Sequence, residues 1–387
     1  MYRSGRHFLQ IPGPTNLPPR IGRAISRPTI DHRGPEFKEL TRSLLERLQV
    51  VFGSKEPIII YPSSGRGAWE AALVNTLSPG DRVLFCDCGH FAALWRQVAE
   101  RLGLQVELLT SDWRDGVDPG AVEARLAADT AGAIKAVAMV HNETSSGVVN
   151  DVVGVRNAID GAHHAALLMV DVVSSLASME YRHQDWGVDV TVAASQKGLM
   201  LPPGLGFCAV SDKAMAAGAT AALPRSYWDW QSVIAANRLG TYPYTPATNL
   251  LFGLDEALNM LFEEGLPQVY ARHGRLAQAT RRAVKAWGLE IYCRNPGRYS
   301  STLTAVLMPA GFDADELRQL ILDRFNLSLG TGLGQVKGKL FRIGHLGDFN
   351  DLMLAGTLCG VEMGLALGRV PHNRGGVLEA MDGLAED

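Results

Sequence analysis

Cysteine is scarce in this chain of 387 residues: there are five, an odd number. That count excludes a disulfide framework, and Cys86 with Cys88 forms a C-x-C in place of the C-x-x-C of redox and zinc motifs. All five thiols (Cys86, Cys88, Cys208, Cys293 and Cys359) are expected to be buried or half-buried. An excess of one charge is missing as well. Lys plus Arg number 37 and Asp plus Glu 40, a net charge of −3. No broad basic face can form from that balance, which excludes nucleic acid and anionic membranes as partners. Apolar runs are short: none approaches the ~18–20 residues of a membrane span, and the run 165–170 is stopped by Asp171. The opening Met1-Tyr2-Arg3-Ser4-Gly5-Arg6 is basic, but no apolar stretch follows it, so no signal peptide is read and the cytoplasm is the expected compartment.

Internal repeats and low-complexity segments are absent too, as are several motifs. G-x-G-x-x-G does not occur, and the nearest approach to a P-loop, Gly332 to Gly338-Lys339, has the wrong spacing and Leu340 in place of Ser or Thr. There is no H-E-x-x-H, and His163 and His164 are expected on different sides of a helix, so no metal site is expected. No G-x-S-x-G marks a serine nucleophile.

What is present is material for a large core, with 47% hydrophobic and 20% charged residues. The length exceeds the ~100–200 residues of one domain, which predicts two lobes. After the Pro-rich opening, spacing predicts a helix over 35–52 with Phe37, Leu40, Leu44, Leu45 and Leu48 on one stripe, then a strand over 58–61. Ser63-Ser64-Gly65-Arg66-Gly67 leads into a helix whose Trp69, Ala72, Leu73 and Leu77 recur at helical spacing. Strands over 83–86, 106–109, 134–140, 166–173 and 188–194 alternate with helices over 91–102 and 152–162 and one capped by Asp118 before Pro119. Apolar strands alternating with helices predict an α/β fold with a mostly parallel sheet covered on both faces. A helix over 249–264 ends at Gly265, a second helical stretch follows through Arg272 to Trp287, and helices over 314–325 and 351–367 with strands over 302–308 and 340–343 complete the chain. The expected division is an N-terminal arm 1–17, a large domain 18–264 and a small α+β domain 265–387.

In such sheets, ligands sit beyond the carboxyl ends of the strands, and polar clusters stand there. Ser64-Gly65-Arg66 opens a helix, where backbone N–H groups and the helix dipole suit a phosphate; a tight turn needing glycine explains the same residues. Asp171 ends an apolar strand, where a carboxylate meets a cation or a strong donor, or serves as a cap or in a structural ion pair. Lys197 ends the next strand, either as a solvated loop charge or as a desolvated amine of lowered pKa, able to form an imine. Together, a phosphate cup, an aspartate and an amine on one sheet edge match the requirements of pyridoxal phosphate.

The chain resembles the class V aminotransferases of fold type I, most closely the alanine–glyoxylate and serine–glyoxylate group. The resemblance is carried in order by Pro12-Gly13-Pro14-Thr15-Asn16, Asp31-His32-Arg33, Pro62-Ser63-Ser64-Gly65, His141-Asn142-Glu143-Thr144, Val170-Asp171-Val172-Val173-Ser174-Ser175, Ser195-Gln196-Lys197-Gly198, Tyr242-Pro243-Tyr244-Thr245-Pro246 and Phe341-Arg342-Ile343-Gly344-His345-Leu346-Gly347. Asn75-Thr76-Leu77-Ser78-Pro79-Gly80-Asp81 resembles the bacterial serine–glyoxylate branch. The resemblance implies a seven-stranded sheet in the large domain and pyridoxal 5'-phosphate as cofactor, with Lys197 forming the Schiff base and moving the proton. It implies Asp171 on the ring nitrogen, and Ser64, Gly65, Arg66 and Gln196 on the phosphate. Thr144 is placed at the ring edge, with Phe91 and Val173 on its two faces. Arg342, with Thr144, Pro12 and Gly13, is placed on the substrate, Arg342 on its α-carboxylate. Tyr242 and Thr245 are implied to reach the phosphate of a neighbouring subunit, which makes the partner a second copy in a homodimer with shared active sites.

The expected reaction is amino transfer from L-serine to glyoxylate, between small amino acids and 2-oxo acids. Alanine, aspartate, 3-hydroxyaspartate and ureidoglycine are alternative donors. A cysteine-desulfurase-like lyase needs a reactive cysteine on a mobile loop, which neither Cys293 nor Cys359 suits; a catalytically silent relative has no chemical reason to keep Lys197, Asp171 and Arg342 together. Arg66 departs from the threonine or histidine of relatives. Tyr227-Trp228-Asp229-Trp230 is expected either to line the substrate entrance or to pack.

Overall fold

The computed structural model describes residues 5–385. Its elements begin with β1 (Phe8–Gln10), α1 (Pro19–Ile25), α2 (Pro35–Phe52), β2 (Ile58–Ser63), α3 (Gly65–Thr76), β3 (Arg82–Asp87), α4 (His90–Arg101), β4 (Gln105–Thr110) and α5 (Pro119–Ala127). Next come β5 (Ile134–Val140), the hairpin β6 (Asn142–Glu143) and β7 (Val148–Val149), α6 (Val152–Gly161), β8 (Leu167–Asp171), β9 (Val190–Ala194) and β10 (Gly204–Val210). The remainder comprises α7 (Asp212–Gly218), α8 (Trp230–Arg238), α9 (Thr248–Glu264), α10 (Leu266–Ala286), β11 (Leu303–Leu307), α11 (Ala314–Phe325), β12 (Leu327–Thr331), β13 (Leu340–Gly344), α12 (Asp351–Leu367) and α13 (Gly376–Ala385).

Seven strands form the main sheet in the order β2-β10-β9-β8-β5-β3-β4. All run one way except β10, which is antiparallel to both its neighbours. Alternate residues go to opposite faces, as a strand period of two requires. Ile58 and Ile60 enter one core cluster while Ile59 and Tyr61 enter the other. Val137 and Met139 divide from Ala136 and Ala138 in the same way. Both faces are therefore apolar and covered, and the carboxyl ends of β2, β3, β5, β8 and β9 share one edge.

A second sheet of four strands, β1-β12-β13-β11, draws in the N-terminal arm. Phe8 pairs with Leu327 and Gln10 with Leu329 in parallel register. Arg342 stands on β13, opposite Ala305 of β11 and Gly330 of β12.

Several expectations are corrected. The strand predicted over 166–173 stops at Asp171, because Ser175 and Leu176 donate back to the Val172 carbonyl and close a turn. β10 fills a stretch where no strand was assigned. The helical stretch expected after Gly265 begins at Leu266, with Pro267 in its first turn, where a missing N–H costs nothing. His163 and His164 lie beyond the end of α6, and His164 Nε2 meets Asp129 Oδ2 at 3.2 Å. Cys359 is exposed, unlike the other four cysteines. Among the described residues no helix is long and apolar enough to cross a membrane, and no cluster of His, Cys, Asp and Glu has the makings of a metal site. Residues 1–4, including most of the basic opening, lie outside the described residues.

Candidate active site

The shared strand edge encloses a cavity of about 300 Å³. Lys197 and Gln196 reach it from beyond the end of β9, Asp171 and Val173 from the end of β8, Thr144 from the turn of the β6–β7 hairpin, and Ser64, Gly65 and Arg66 from the start of α3. Phe91, on α4, and Gly13, on the arm, complete the predicted set found there.

Lys197 is only 8% exposed. Burial, then the nearby Arg342 charge, pulls its ammonium down to about 7, with Asp171 opposing. Its Nζ donates to the Pro12 carbonyl. Gly13 adopts φ 97°, and a Cβ there would fall 2.4 Å from the Lys197 Cδ, so only glycine lets the arm pass over the side chain. The arm is fastened by Thr15, whose N–H donates to the Gln196 carbonyl at 3.2 Å and whose hydroxyl donates to the Lys197 carbonyl at 3.4 Å. Pro12 thus touches the lysine without lining the cavity. Because the lowered pKa leaves the amine neutral above about pH 7, cyanate should carbamylate Lys197 of the cofactor-free protein half-maximally near pH 7, read by peptide mass. A midpoint at the ordinary 10.5 contradicts this.

Asp171, the last residue of β8, is buried, and burial raises its carboxyl to about 7 against the pull of two hydrogen bonds. Its Oδ1 accepts the Val173 N–H and its Oδ2 the indole N–H of Trp69, each at 2.7 Å. Helical spacing predicts Trp69 on a stripe but carries no sign of this contact.

At α3, Ser64 occupies the N-cap in extended conformation, but its side chain caps nothing. The first N–H groups are therefore left for an anion at the dipole's positive end. A Cβ on Gly65 would sit 2.9 Å from Val173 Cγ2, so glycine permits this close seating. Gln196 Oε1 is buried without a protein partner. The Arg66 guanidinium makes no ion pair among the described residues.

Glu143, within the motif His141-Asn142-Glu143-Thr144, anchors the far wall. Its carboxylate accepts from the N–H groups of Phe91 at 3.2 Å and Ala92 at 3.3 Å, and from the Ser145 N–H at 2.9 Å and hydroxyl at 2.6 Å. It thereby substitutes for the missing cap of α4, where Gly89 leaves it room. Arg342 stands just behind Thr144: Nη1 donates to the Thr144 carbonyl at 2.7 Å and Nε to that of Thr331 at 2.8 Å. Burial lowers its guanidinium to about 10, and the end-on N–H donors remain for a carboxylate.

Four predicted residues, Pro12, Arg342, Tyr242 and Thr245, do not line the cavity. Tyr242 packs beside Phe37 and Tyr244, its hydroxyl buried without a partner. Thr245 borders a separate surface hollow with His32. Of the aromatic run, Trp228 donates to Glu70 at 3.0 Å, Asp229 caps α8, Trp230 is buried, and Tyr227 stacks on Tyr244. None lines the cavity of its own chain, and Tyr227 is exposed.

The family model described as Aminotransferase class-V matches residues 21–337. The chain is 49% identical to the serine–glyoxylate aminotransferase of Methylorubrum extorquens over 369 residues, 94% of this chain and 92% of that one. It is 44% identical to the L-aspartate–glyoxylate aminotransferase of Paracoccus denitrificans over 357 residues, 92% and 90% of the two chains. The solved structure of ureidoglycine–glyoxylate aminotransferase from Bacillus subtilis is similar with a TM-score of 0.91, at 25% identity and covering 99% of each chain.

Proposed function

The chain belongs to the class-V aminotransferases, a fold type I family dependent on pyridoxal 5'-phosphate, and from that premise we propose that it transfers the amino group of L-serine to glyoxylate, releasing hydroxypyruvate and glycine. The observation that carries the chemistry is one cavity bordered by a buried amine, a buried carboxylate and an uncapped helix N-terminus. That donor set fits the cofactor: Lys197 would hold it, Asp171 would face its ring nitrogen, and Ser64, Gly65, Arg66 and Gln196 would take its phosphate. Phe91 and Val173 would flank its ring, with Thr144 at the edge.

Pyridoxal phosphate, when bound, supplies an aldehyde carbon that takes up an amino group and a ring that draws electrons from the substrate's α-carbon. The chain's own groups do the rest. Lys197 Nζ, neutral in about half the molecules at pH 7, takes the α-carbon proton and hands it back. Asp171 would face the ring nitrogen, where a protonated ring and an ionised carboxylate would stabilise each other. Arg342 fixes the α-carboxylate and so aims the α-carbon, while Phe91, Val173 and the arm at Pro12 and Gly13 exclude water.

A homodimer with shared sites is part of this reading. It is supported by the unpartnered Tyr242 hydroxyl and by Thr245, both away from their own cavity. Holo-protein given L-serine and glyoxylate should yield hydroxypyruvate and glycine. Borohydride reduction and digestion should leave the cofactor's mass on the peptide containing Lys197; its absence there defeats the proposal.

An acidic donor is the second reading, favoured by the Arg66 side chain in the cavity and by the aspartate-specific name of the Paracoccus relative. Arg66→Thr is expected to loosen the cofactor or to change donor preference between serine and aspartate. Wild-type behaviour in both measurements rejects a role for Arg66.

A further inference from the structure

The carboxylate of Asp171 does not stand alone. Trp69 lies one turn into α3, 4% exposed, with its ring parallel to that of Trp95 on α4 at a centroid separation of 6.0 Å and an interplanar angle of 13°. Phe85 meets Trp95 edge-on from β3. So clamped, the Trp69 indole has little freedom to turn, and its N–H is aimed at Asp171 Oδ2 at 2.7 Å. The stacked partner shows that burial alone does not require such a bond, since Trp95 Nε1 is buried without any partner. Packing would be served equally by a ring with no N–H.

We infer that Trp69 is a positioning residue for the cofactor's ring nitrogen, holding Asp171 ionised and oriented through the indole hydrogen bond. An ionised carboxylate has about four acceptor sites; Trp69 and the Val173 N–H occupy two and fix the plane in which the others lie. Two further charges bear on Asp171: Glu143, which favours its neutral form, and Lys197, which favours its ionised form. Without the indole donor, burial and Glu143 act against the charge with only Val173 and Lys197 in opposition.

The inference rests on the proposed seating of pyridoxal phosphate against Asp171, and the test separates the two. Cofactor-free wild type, Trp69→Phe and a variant carrying β-(3-benzothienyl)alanine at position 69, which keeps the shape of tryptophan but lacks the N–H, are titrated with pyridoxal phosphate and with its 1-deaza analogue. Binding is read by absorbance. Loss of one charge-assisted hydrogen bond should weaken pyridoxal phosphate binding about ten-fold in both variants and leave analogue binding as in wild type. Equal loss of both ligands, or no loss of either, overturns the inference. Should Trp69→Phe fail to fold, the isosteric variant decides by the same comparison. Wild type that binds no pyridoxal phosphate overturns the proposed function and this inference with it; wild type that binds beside unaffected variants overturns this inference alone.

Discussion

Lys197→Ala is expected to lower kcat roughly 10³-fold or more, because it removes the group that carries the proton on every turnover. Geometry explains why nothing nearby substitutes. The Pro12 carbonyl and the Gly13 backbone pack against the side chain, Arg342 holds its protons, and the Asp171 carboxylate already accepts two hydrogen bonds. An ordinary lysine at pH 7 is neutral in only about one molecule in 3,000, whereas at the lowered value of about 7 the fraction approaches half. The same shift has a sign in stability. Between about pH 7 and 10.5 the unfolded chain keeps a proton that the folded chain has released, so the lysine's penalty on the cofactor-free fold shrinks as pH rises through that window. Alanine removes the penalty. Urea denaturation of the cofactor-free forms should therefore show Lys197→Ala gaining most over wild type at pH 7 and least near pH 10. A variant equally impaired in folding at both pH values, or one turning over near the wild-type rate, contradicts the assignment.

How far the molecule was readable from its residues depends on which forces are local. Lys197, Asp171 and Gly65 could be found because a parallel sheet sends every strand end to one edge, so a polar residue closing an apolar run is placed by topology alone. The direction of β10 had no such signal: Gly204–Val210 is as apolar as a parallel strand, and only its two neighbours make it antiparallel. β1 was invisible because its pairing with β12 joins segments more than 300 residues apart. Trp69 was correctly expected on a buried stripe, yet periodicity reports which face a side chain takes and not which atom it finds. Cys359 shows the opposite error. Its helix is apolar on all sides, which predicts burial, but Leu352, Met363 and Leu367 are exposed beside it, Leu352 at 82%. Tyr242 and Thr245 were singled out by resemblance alone, and a single chain leaves them outside the cavity.

Arg342→Lys tests the other half of the site, where charge is retained and shape is lost. A planar guanidinium satisfies the Thr144 and Thr331 carbonyls and still presents its end-on pair of donors to a carboxylate. An ammonium cannot do all three, so either a buried carbonyl or the substrate goes unbonded. Hydrogen bonds to charged groups are worth about 1.5–3 kcal/mol each, and loss of one or two predicts a fall in kcat/KM of about 100-fold. Every amino acid donor carries the same α-carboxylate, so the fall should be of similar size for serine, alanine and aspartate. Arg66→Thr, by contrast, changes preference among them if it acts on the donor. Cofactor affinity should be nearly unchanged, since Arg342 is not among the residues that would hold the cofactor. The position of Lys197's titration should also persist, because the lysine at 342 keeps the positive charge that lowers it; Arg342→Met should instead move that titration upward. Loss confined to one donor, or wild-type kcat/KM with all three, removes Arg342 from the carboxylate site.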